Sequence, residues 1–513
     1  MRRLLAALAL IAATLGVILL AGDGHGLRRT HVTADGVPLY EVHPPAGPGK
    51  RPGVVVAHGF SGSAELMAPF GDSLATQGYV VVLLDFAGHG ASTTPLPDDA
   101  AATDASVDAL QHDLDVAVAR LRSLPDVDPA RIALVGHSMG ATEVTRYAAA
   151  HPAVGATVAL SLPGSSVAQS SRPAHLLLLY GSLEFPGFKA AAADAVAHGG
   201  PDRRASAVPG VEHISILYAP RAHRATVEWL DRNLGGLSGS RPLPSPLRRI
   251  GGAALLTSAF LLGLYPIAGL LTGGRVRTTG AGGRVRTTGA GGRVRTTGAG
   301  GRVRTTGAGG RVRLLRTASA AGVAVAAAAV AALVAPRLPT ERLPIAIGGF
   351  IAGYTTVIGL ALTAYGIWRE PATANGRGGR LVPLIAYAVA AIALPTSLGL
   401  THAVPVGPRW WLIPVLWAGF AVLAYGTERA TAGHPLGVPV IAAVVVGALT
   451  GAAVAGLTHG FVLLAVPPLV LLFGWQALWS AGLNRLGAPA WLIAAVGSVV
   501  VAWPLGIALP LVG

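Results

Sequence analysis

Apolar positions along this chain change their spacing twice, and each change marks a boundary. The first stretch, "LLAALALIAATLGVILLA", runs from Leu4 to Ala21 behind the basic "MRR". It is longer than a signal-peptide core and suits one membrane span, so residues 1–25 read as an uncleaved anchor, with a cleaved signal peptide as the alternative. From residue 30 to 234 short apolar runs alternate with longer periodic ones. The short runs are "GVVVAHG", "YVVVLLDF", "RIALVGH", "GATVALSL" and "HLLLLYG"; the longer include "AELMAPFGDSLATQG", "DALQHDLDVAVARLRSL" and "ATEVTRYAAAHP". Near-continuous apolar runs are strands covered on both faces, and the periodic ones are amphipathic helices. The order predicts an α/β domain with a mainly parallel sheet between helix layers. About 205 residues can bury one core.

The second change follows "GGLSGSRPLPSPLRR", a Gly/Pro/Ser-rich linker at residues 235–249. Residues 250–513 are then dominated by runs of span length, starting near Ile250, Leu314, Leu343, Leu381, Trp410, Gly437, Phe461 and Ala488. They predict an all-α polytopic domain of eight helices, nine with the first span. Within it, "GGRVRTTGA" repeats with a period of nine over residues 273–313. Such units are too short and Gly-rich to stack as a solenoid. They read as an expanded repeat in a tolerant loop, or as an electrostatic tether worth about 1 kcal/mol per arginine near anionic headgroups.

Composition agrees: 52% of residues are hydrophobic and 12% charged, which argues against a wholly soluble protein. The net charge of +15 falls to +5 once the ten arginines of the five "GGRVR" copies are set aside. The basicity is therefore local, and with no recognition fold or interleaved aromatics it does not point to nucleic acid. The absence of cysteine excludes disulfides, thiolate catalysis and cysteine metal sites. His112, His151 and His175 have no metal-ligand spacing, and neither a metal nor a cofactor is expected. The sequence names no protein partner.

Arginines also orient the spans. The eleven from Arg275 to Arg316 are expected on the cytoplasmic side, joined by Arg369, Arg377, Arg380 and Arg485. The other side receives Arg337, Arg342 and Arg409, with Arg248 and Arg249 dissenting. The solution is a multi-pass cell-membrane protein with its N-terminus inside and the α/β domain extracytoplasmic. Within the spans ionisable residues are scarce: Glu428, Arg429, His402, His459 and Arg485 fall at span ends, unlike an ion-coupled pathway. The small residues of "GGFIAGYTTVIG" around Tyr354 suit close helix packing. Anchor and scaffold is the default role of these helices; a conduit for lipid or small molecules is the alternative.

Chemistry concentrates at "RIALVGHSMGATEV". Gly136-His137-Ser138-Met139-Gly140 has the spacing of a nucleophile elbow between a strand and a helix, with Ser138 at the tip. A nucleophilic serine needs oxyanion donors, a base and a group that orients the base. The backbone N–H groups of Phe60, after the strand "VVVAHG", and of Met139 would supply the donors. Glu184, three residues beyond the "HLLLLYG" strand, is the candidate acid, and His213 in "AVPGVEHISI" the candidate base. The chain order serine, acid, histidine is the one this scaffold requires. Other readings compete. Asp85 and His89 in "DFAGHGAS" read as a structural loop, and His58 and His137 as packing or hydrogen-bonding residues. Glu212 would point away from the site, while Asp194 and Asp202 are alternative acids.

Taken together, "HGFSGS", "DFAGHGAS", "GHSMG", "YGSLE" and "GVEH" resemble the α/β-hydrolase superfamily, in its compact dienelactone-hydrolase-like branch, over residues 30–234. Together with the apolar spans, the resemblance implies a membrane-anchored serine hydrolase that cleaves carboxylic ester or thioester bonds through an acyl-enzyme. Two departures limit it: the dienelactone hydrolases proper use cysteine, absent here, and Glu184 stands where aspartate is commoner. The segment 161–174 has no room for a helical cap, so a fairly open pocket is expected. Small or extended acyl esters, or lipid-like esters presented by the bilayer, would suit it. Acyl transfer by the same triad, or a transport or assembly protein with a non-catalytic hydrolase-like binding domain, are the alternatives.

Overall fold

The computed structural model describes residues 2–21, 26–47, 49–98, 103–168, 171–235, 242–271, 308–370, 381–458 and 460–513. Helix α1 (Arg2–Ala21) precedes a hairpin of β1 (Arg28–Ala34) and β2 (Val37–His43). Its turn residues Asp35 and Gly36 both have left-handed backbone (φ 44° and 78°), the geometry that makes Asp-Gly a hairpin turn. Then follow β3 (Arg51–Ala57), α2 (Ala64–Thr76), β4 (Val80–Leu84), α3 (Asp104–Ser123), β5 (Val127–His137) and α4 (Met139–Ala150). β6 (Ala156–Leu160), β7 (Leu176–Gly181), α5 (Pro186–Ala197), β8 (Arg203–Val208) and α6 (Pro220–Leu234) complete the unit. All eight strands join one sheet in the order β1-β2-β4-β3-β5-β6-β7-β8, parallel from β4 to β8.

Alternation along β3 shows why its run is continuously apolar. Val54 and Val56 enter one core with Phe70, Leu74 and Leu230, while Val55 and Ala57 enter the other with Leu114 and Leu134. Helices α2 and α6 cover the first face, α3 and α4 the second. Every run predicted as a strand forms one. The hairpin was not predicted, because β1 ("RRTHVTA") is an exposed edge without an apolar run.

Helices α7 (Leu247–Leu271), α8 (Ala308–Val334), α9 (Gly348–Arg369), α10 (Leu381–Thr396), α11 (Arg409–Thr431), α12 (Gly437–Val454), α13 (Val462–Arg485) and α14 (Ala490–Ala508) follow. Among the described residues, eight helices including α1 are long and apolar enough to cross a membrane. α10, also expected as a span, is apolar and begins where the described residues resume, after 371–380; 16 of its residues are described. Leu247 to Arg249, assigned to the linker, already belong to α7. The repeat at 273–307 and residues 371–380, with Arg377 and Arg380, lie outside the described residues, as does His459.

The helices run alternately toward and away from the sheet. On the sheet side, Tyr218 donates to the Gly399 carbonyl at 2.5 Å, the Phe60 and Phe461 rings lie 4.9 Å apart, and Leu511 pairs with Gly88 and Leu96. At the opposite ends Arg316 bonds Glu370 and the Ala430 carbonyl, and Asn484 bonds Glu428. Glycines permit close contact within the bundle: a Cβ on Gly426 would lie 2.3 Å from the Gly359 carbonyl oxygen. Helix α1 rests on α7 the same way, Gly16 against Gly252.

Candidate active site

Ser138 sits at the tip of the β5–α4 turn with φ 52° and ψ −115°, a conformation costly for a side-chain-bearing residue. Gly136 and Gly140 make the turn possible. A Cβ on Gly136 would come within 2.2 Å of the Gly140 oxygen, and one on Gly140 within 2.4 Å of the His58 oxygen. The Ser138 N–H donates to the Leu160 carbonyl at 2.9 Å, which ties the elbow to β6.

The structure brings Ser138, His213 and Glu184 together. His213 Nε2 lies 3.1 Å from Ser138 Oγ, and His213 Nδ1 lies 3.1 Å from Glu184 Oε1. Glu184 and His213 are buried. The Ser161 hydroxyl donates to Glu184 Oε2 at 2.5 Å and the Phe185 N–H to Oε1 at 3.3 Å. Burial alone would raise the Glu184 pKa, but the bonds from His213 and Ser161 outweigh it and hold the carboxyl below its ordinary range. An ionised Glu184 accepts the Nδ1–H and leaves Nε2 free to accept the serine proton. His137 supports the base from behind, its Nε2 2.9 Å from the His213 carbonyl oxygen. Burial, with a smaller contribution from His213, lowers the His137 pKa to about 3, so this ring is neutral.

Two backbone N–H groups, those of Met139 and Phe60, belong to the segments that meet at Ser138. Met139 is the first residue of α4, so its N–H has no carbonyl to bond within the helix. Phe60 follows His58-Gly59 at the end of β3, and the Cβ position of Gly59 lies 3.0 Å from Ser138 Cβ. The loop carrying Phe60 therefore packs directly on the serine.

This loop is braced from β4. Phe86 N–H donates to His58 Nε2 at 3.1 Å, and His58 Nδ1–H donates to the Gly59 carbonyl at 2.8 Å. Asp85 is fully buried and accepts from Ala64 N–H (2.7 Å), Ala91 N–H (2.8 Å), Tyr40 OH (3.0 Å) and His402 Nε2 (2.7 Å). Burial works against its charge, yet these partners, His402 foremost, bring its pKa to about 2. Burial likewise opposes charge on His402, and the bond and charge of Asp85 raise its pKa. His89 bonds the Ala87 carbonyl. Neither Asp85 nor His89 bonds Ser138 or His213.

Among the other candidate acids, Glu212 accepts the Ile214 and Ser215 N–H groups, Asp194 pairs with His198, and Asp202 lies 4.0 Å from His175. None of the three bonds His213. No cluster able to hold a metal ion occurs among the described residues.

The expected open pocket is only partly found. Among the described residues of 161–174 there is a short 3₁₀ turn, Ser165–Val167, and no cap helix. Instead Phe461, just before α13, lies against the Phe60 ring. On the other side the rim is bare and apolar: Leu183 is 67% exposed, Phe185 62% and Ile214 44%. Phe188 stands 4.8 Å from the His213 ring. Sequence reasoning did not identify Ser161, Tyr40 or Phe461 as site neighbours, and read His402 only as a span-end residue and Arg409 only as an outer-loop cation. A histidine and an arginine ahead of Trp410-Trp411, on the side where cations are sparse, were the available signal.

Residues 49–213 match the family described as serine aminopeptidase, S33. No curated protein matches the chain. Solved structures similar to it include a dienelactone hydrolase from Anabaena variabilis (19% identity, 41% of this chain and 100% of that one, TM-score 0.32). Others are Est1E from Butyrivibrio proteoclasticus (15%, 40% and 99%, 0.32) and the α/β hydrolase GrgF from Penicillium (15%, 41% and 100%, 0.35). Sheet order, elbow and family match together give this chain an α/β-hydrolase fold and the character of a hydrolase, followed by a region of long apolar helices.

Proposed function

We propose that the protein is a membrane-anchored serine hydrolase that cleaves carboxylic ester or thioester bonds through an acyl-enzyme. The reading rests on one observation: the unbroken chain of bonds from Ser138 through His213 to Glu184 at a strained elbow. His213 Nε2 takes the hydroxyl proton as Ser138 Oγ attacks the substrate carbonyl carbon. The N–H groups of Phe60 and Met139 stabilise the oxyanion, and Glu184 balances the imidazolium charge. Collapse expels the alcohol or thiol, which takes the proton from His213. Water, activated by the same base, then releases the acid and restores Ser138.

Lipid-like esters drawn from the bilayer are the substrates that suit this site, because its bare rim of Leu183, Phe185 and Ile214 favours apolar chains. The family match raises aminopeptidase chemistry as a second reading. An acid facing the substrate amine would favour it, but Glu184 is engaged by His213 and Ser161, and Glu212 by backbone N–H groups. Ester cleavage is the better-supported assignment.

The proposed organisation has residues 1–25 as a retained anchor, 30–234 as an extracytoplasmic hydrolase and 250–513 as a multi-pass domain. The arginine-rich ends of the helices, opposite the sheet, would be cytoplasmic. Arg249 dissents only in appearance: its charge is used in an ion pair with Asp72 of α2, at 2.8 Å.

Labelling membranes with a fluorophosphonate tests the chemistry. Wild type should label, and Ser138→Ala and His213→Ala should lose labelling by roughly 10⁴-fold or more. A folded wild type that takes no label beside a competent control hydrolase would refute an activated serine.

A further inference from the structure

The oxyanion loop His58-Gly59-Phe60 has a brace that begins in the other half of the chain. His402, between α10 and α11, donates to Asp85 Oδ2 at 2.7 Å, and the two residues are 317 positions apart. Asp85 accepts the N–H groups of Ala64 and Ala91 on either side, and the next residue, Phe86, holds the His58 ring, which in turn holds the Gly59 carbonyl. Arg409, fully buried, donates to the carbonyls of Gly88 at 2.6 Å and Ser92 at 3.3 Å, and its Nε bonds the Ile507 carbonyl at 3.2 Å. Leu511 accepts from Leu96 N–H (2.9 Å) and donates to the Gly88 carbonyl (2.7 Å). Phe461 lies on the Phe60 ring itself.

An anchor would need none of this. A tethered enzyme keeps its active-site loops to itself and touches its membrane segment through a linker. Here the contacts fall on the loops after β3 and β4, and a buried arginine and a buried acid are satisfied across the junction. Groups of this kind are costly to bury unless their partners stay in place.

We infer that the apolar-helix region is part of the catalytic apparatus, with His402 and Arg409 as positioning residues that hold the oxyanion loop through the β4 loop. The inference rests on the serine-hydrolase reading given above. Oxyanion donors act only when pre-set toward the developing charge, and loss of one donor costs about 10²–10³-fold in kcat. Loosening the loop therefore slows acylation without changing the part of the site that binds the acyl chain.

The test uses the full-length protein in detergent and a soluble short-chain thioester or nitrophenyl ester. His402→Ala should lower kcat and the fluorophosphonate labelling rate by about 10–100-fold with KM within two-fold. His402→Gln, whose amide can still donate to Asp85, should recover most of the rate. Asn484→Ala, which breaks the bond to Glu428 at the opposite helix ends, should leave kcat within two-fold. If His402→Ala does not fold, His402→Gln and Phe461→Ala carry the comparison, the latter with the same kcat loss at constant KM. Wild-type kcat in His402→Ala, or in Phe461→Ala where that comparison is used, would overturn the inference. So would an equal loss in Asn484→Ala, which would mark a general loosening of the bundle. Failure of the serine-hydrolase reading itself looks different, since wild type would then neither label nor turn over ester.

Discussion

Gly140→Ala isolates the contact on which the elbow depends. The added Cβ would lie 2.4 Å from the His58 oxygen, 2.6 Å from the Ala57 oxygen and 2.9 Å from the Ala57 carbonyl carbon, whereas ordinary contact begins at 3.4 Å. All three atoms are backbone at the end of β3, a strand paired on both sides, so no flexible side chain can give way. Relief needs a separation of roughly 1 Å between α4 and the oxyanion loop. Overpacking of this kind costs about 1–3 kcal/mol of stability, and a 1 Å misplacement of reacting groups costs about 10²-fold in rate. The measurement pairs the fluorophosphonate labelling rate with Tm in one detergent. Gly187→Ala, where a Cβ meets nothing within 4 Å, is the control and should change neither by much. If Gly140→Ala labelled at the wild-type rate with unchanged Tm, the reasoning from the elbow would be wrong.

Other expectations follow from single groups. Asp113 accepts the Ala87 N–H at 2.7 Å, and burial raises its pKa to about 6 despite that bond. The folded pKa exceeds the unfolded one, so its stabilising contribution is complete below about pH 4 and is lost as pH rises through 6. Asp113→Asn should remove that dependence, with the Tm gap between variant and wild type widening across this range by the equivalent of about 3 kcal/mol; a constant gap would refute it. Leu183→Ser with Phe185→Ser should leave turnover of a soluble short-chain ester within two-fold and lower turnover of a long-chain ester in vesicles about ten-fold. Equal effects on both substrates would argue against a lipid-facing rim. Arg249→Ala leaves the buried Asp72 with Arg29 alone, at 2.6 Å. It should lower stability by about 1–3 kcal/mol, read as a fall in Tm that shrinks when Asp72→Asn is added.

The strands of the sheet were legible because each is buried on both faces and so reads as an unbroken apolar run; Val54-Val55-Val56 is the plainest case. β1 was not, since Arg28, Arg29, Thr30 and His31 face outward, and only the Asp35-Gly36 turn announced the hairpin. Ser138, Glu184 and His213 could be picked out because each stands just past a strand end, where chain order and spacing restrict the choice. Their supports could not. Ser161 reaches Glu184 because β6 and β7 are neighbours, and His402 reaches Asp85 because helix ends pack against the loops that follow β3 and β4. Such contacts depend on tertiary arrangement, which no local pattern of residues encodes.

The separation of His402 from Asp85 also has a consequence in time. At synthesis rates of about 5–20 residues per second, 317 residues take on the order of 15–60 s. The sheet, the elbow and all three triad members leave the ribosome first and can fold as a unit, while the residues that steady the oxyanion loop do not yet exist. On the reading proposed above, a nascent chain would carry Ser138 in a slack site until α10 to α14 have packed. If the substrates are the lipid-like esters proposed above, the order of the gene would spare those around the site of synthesis.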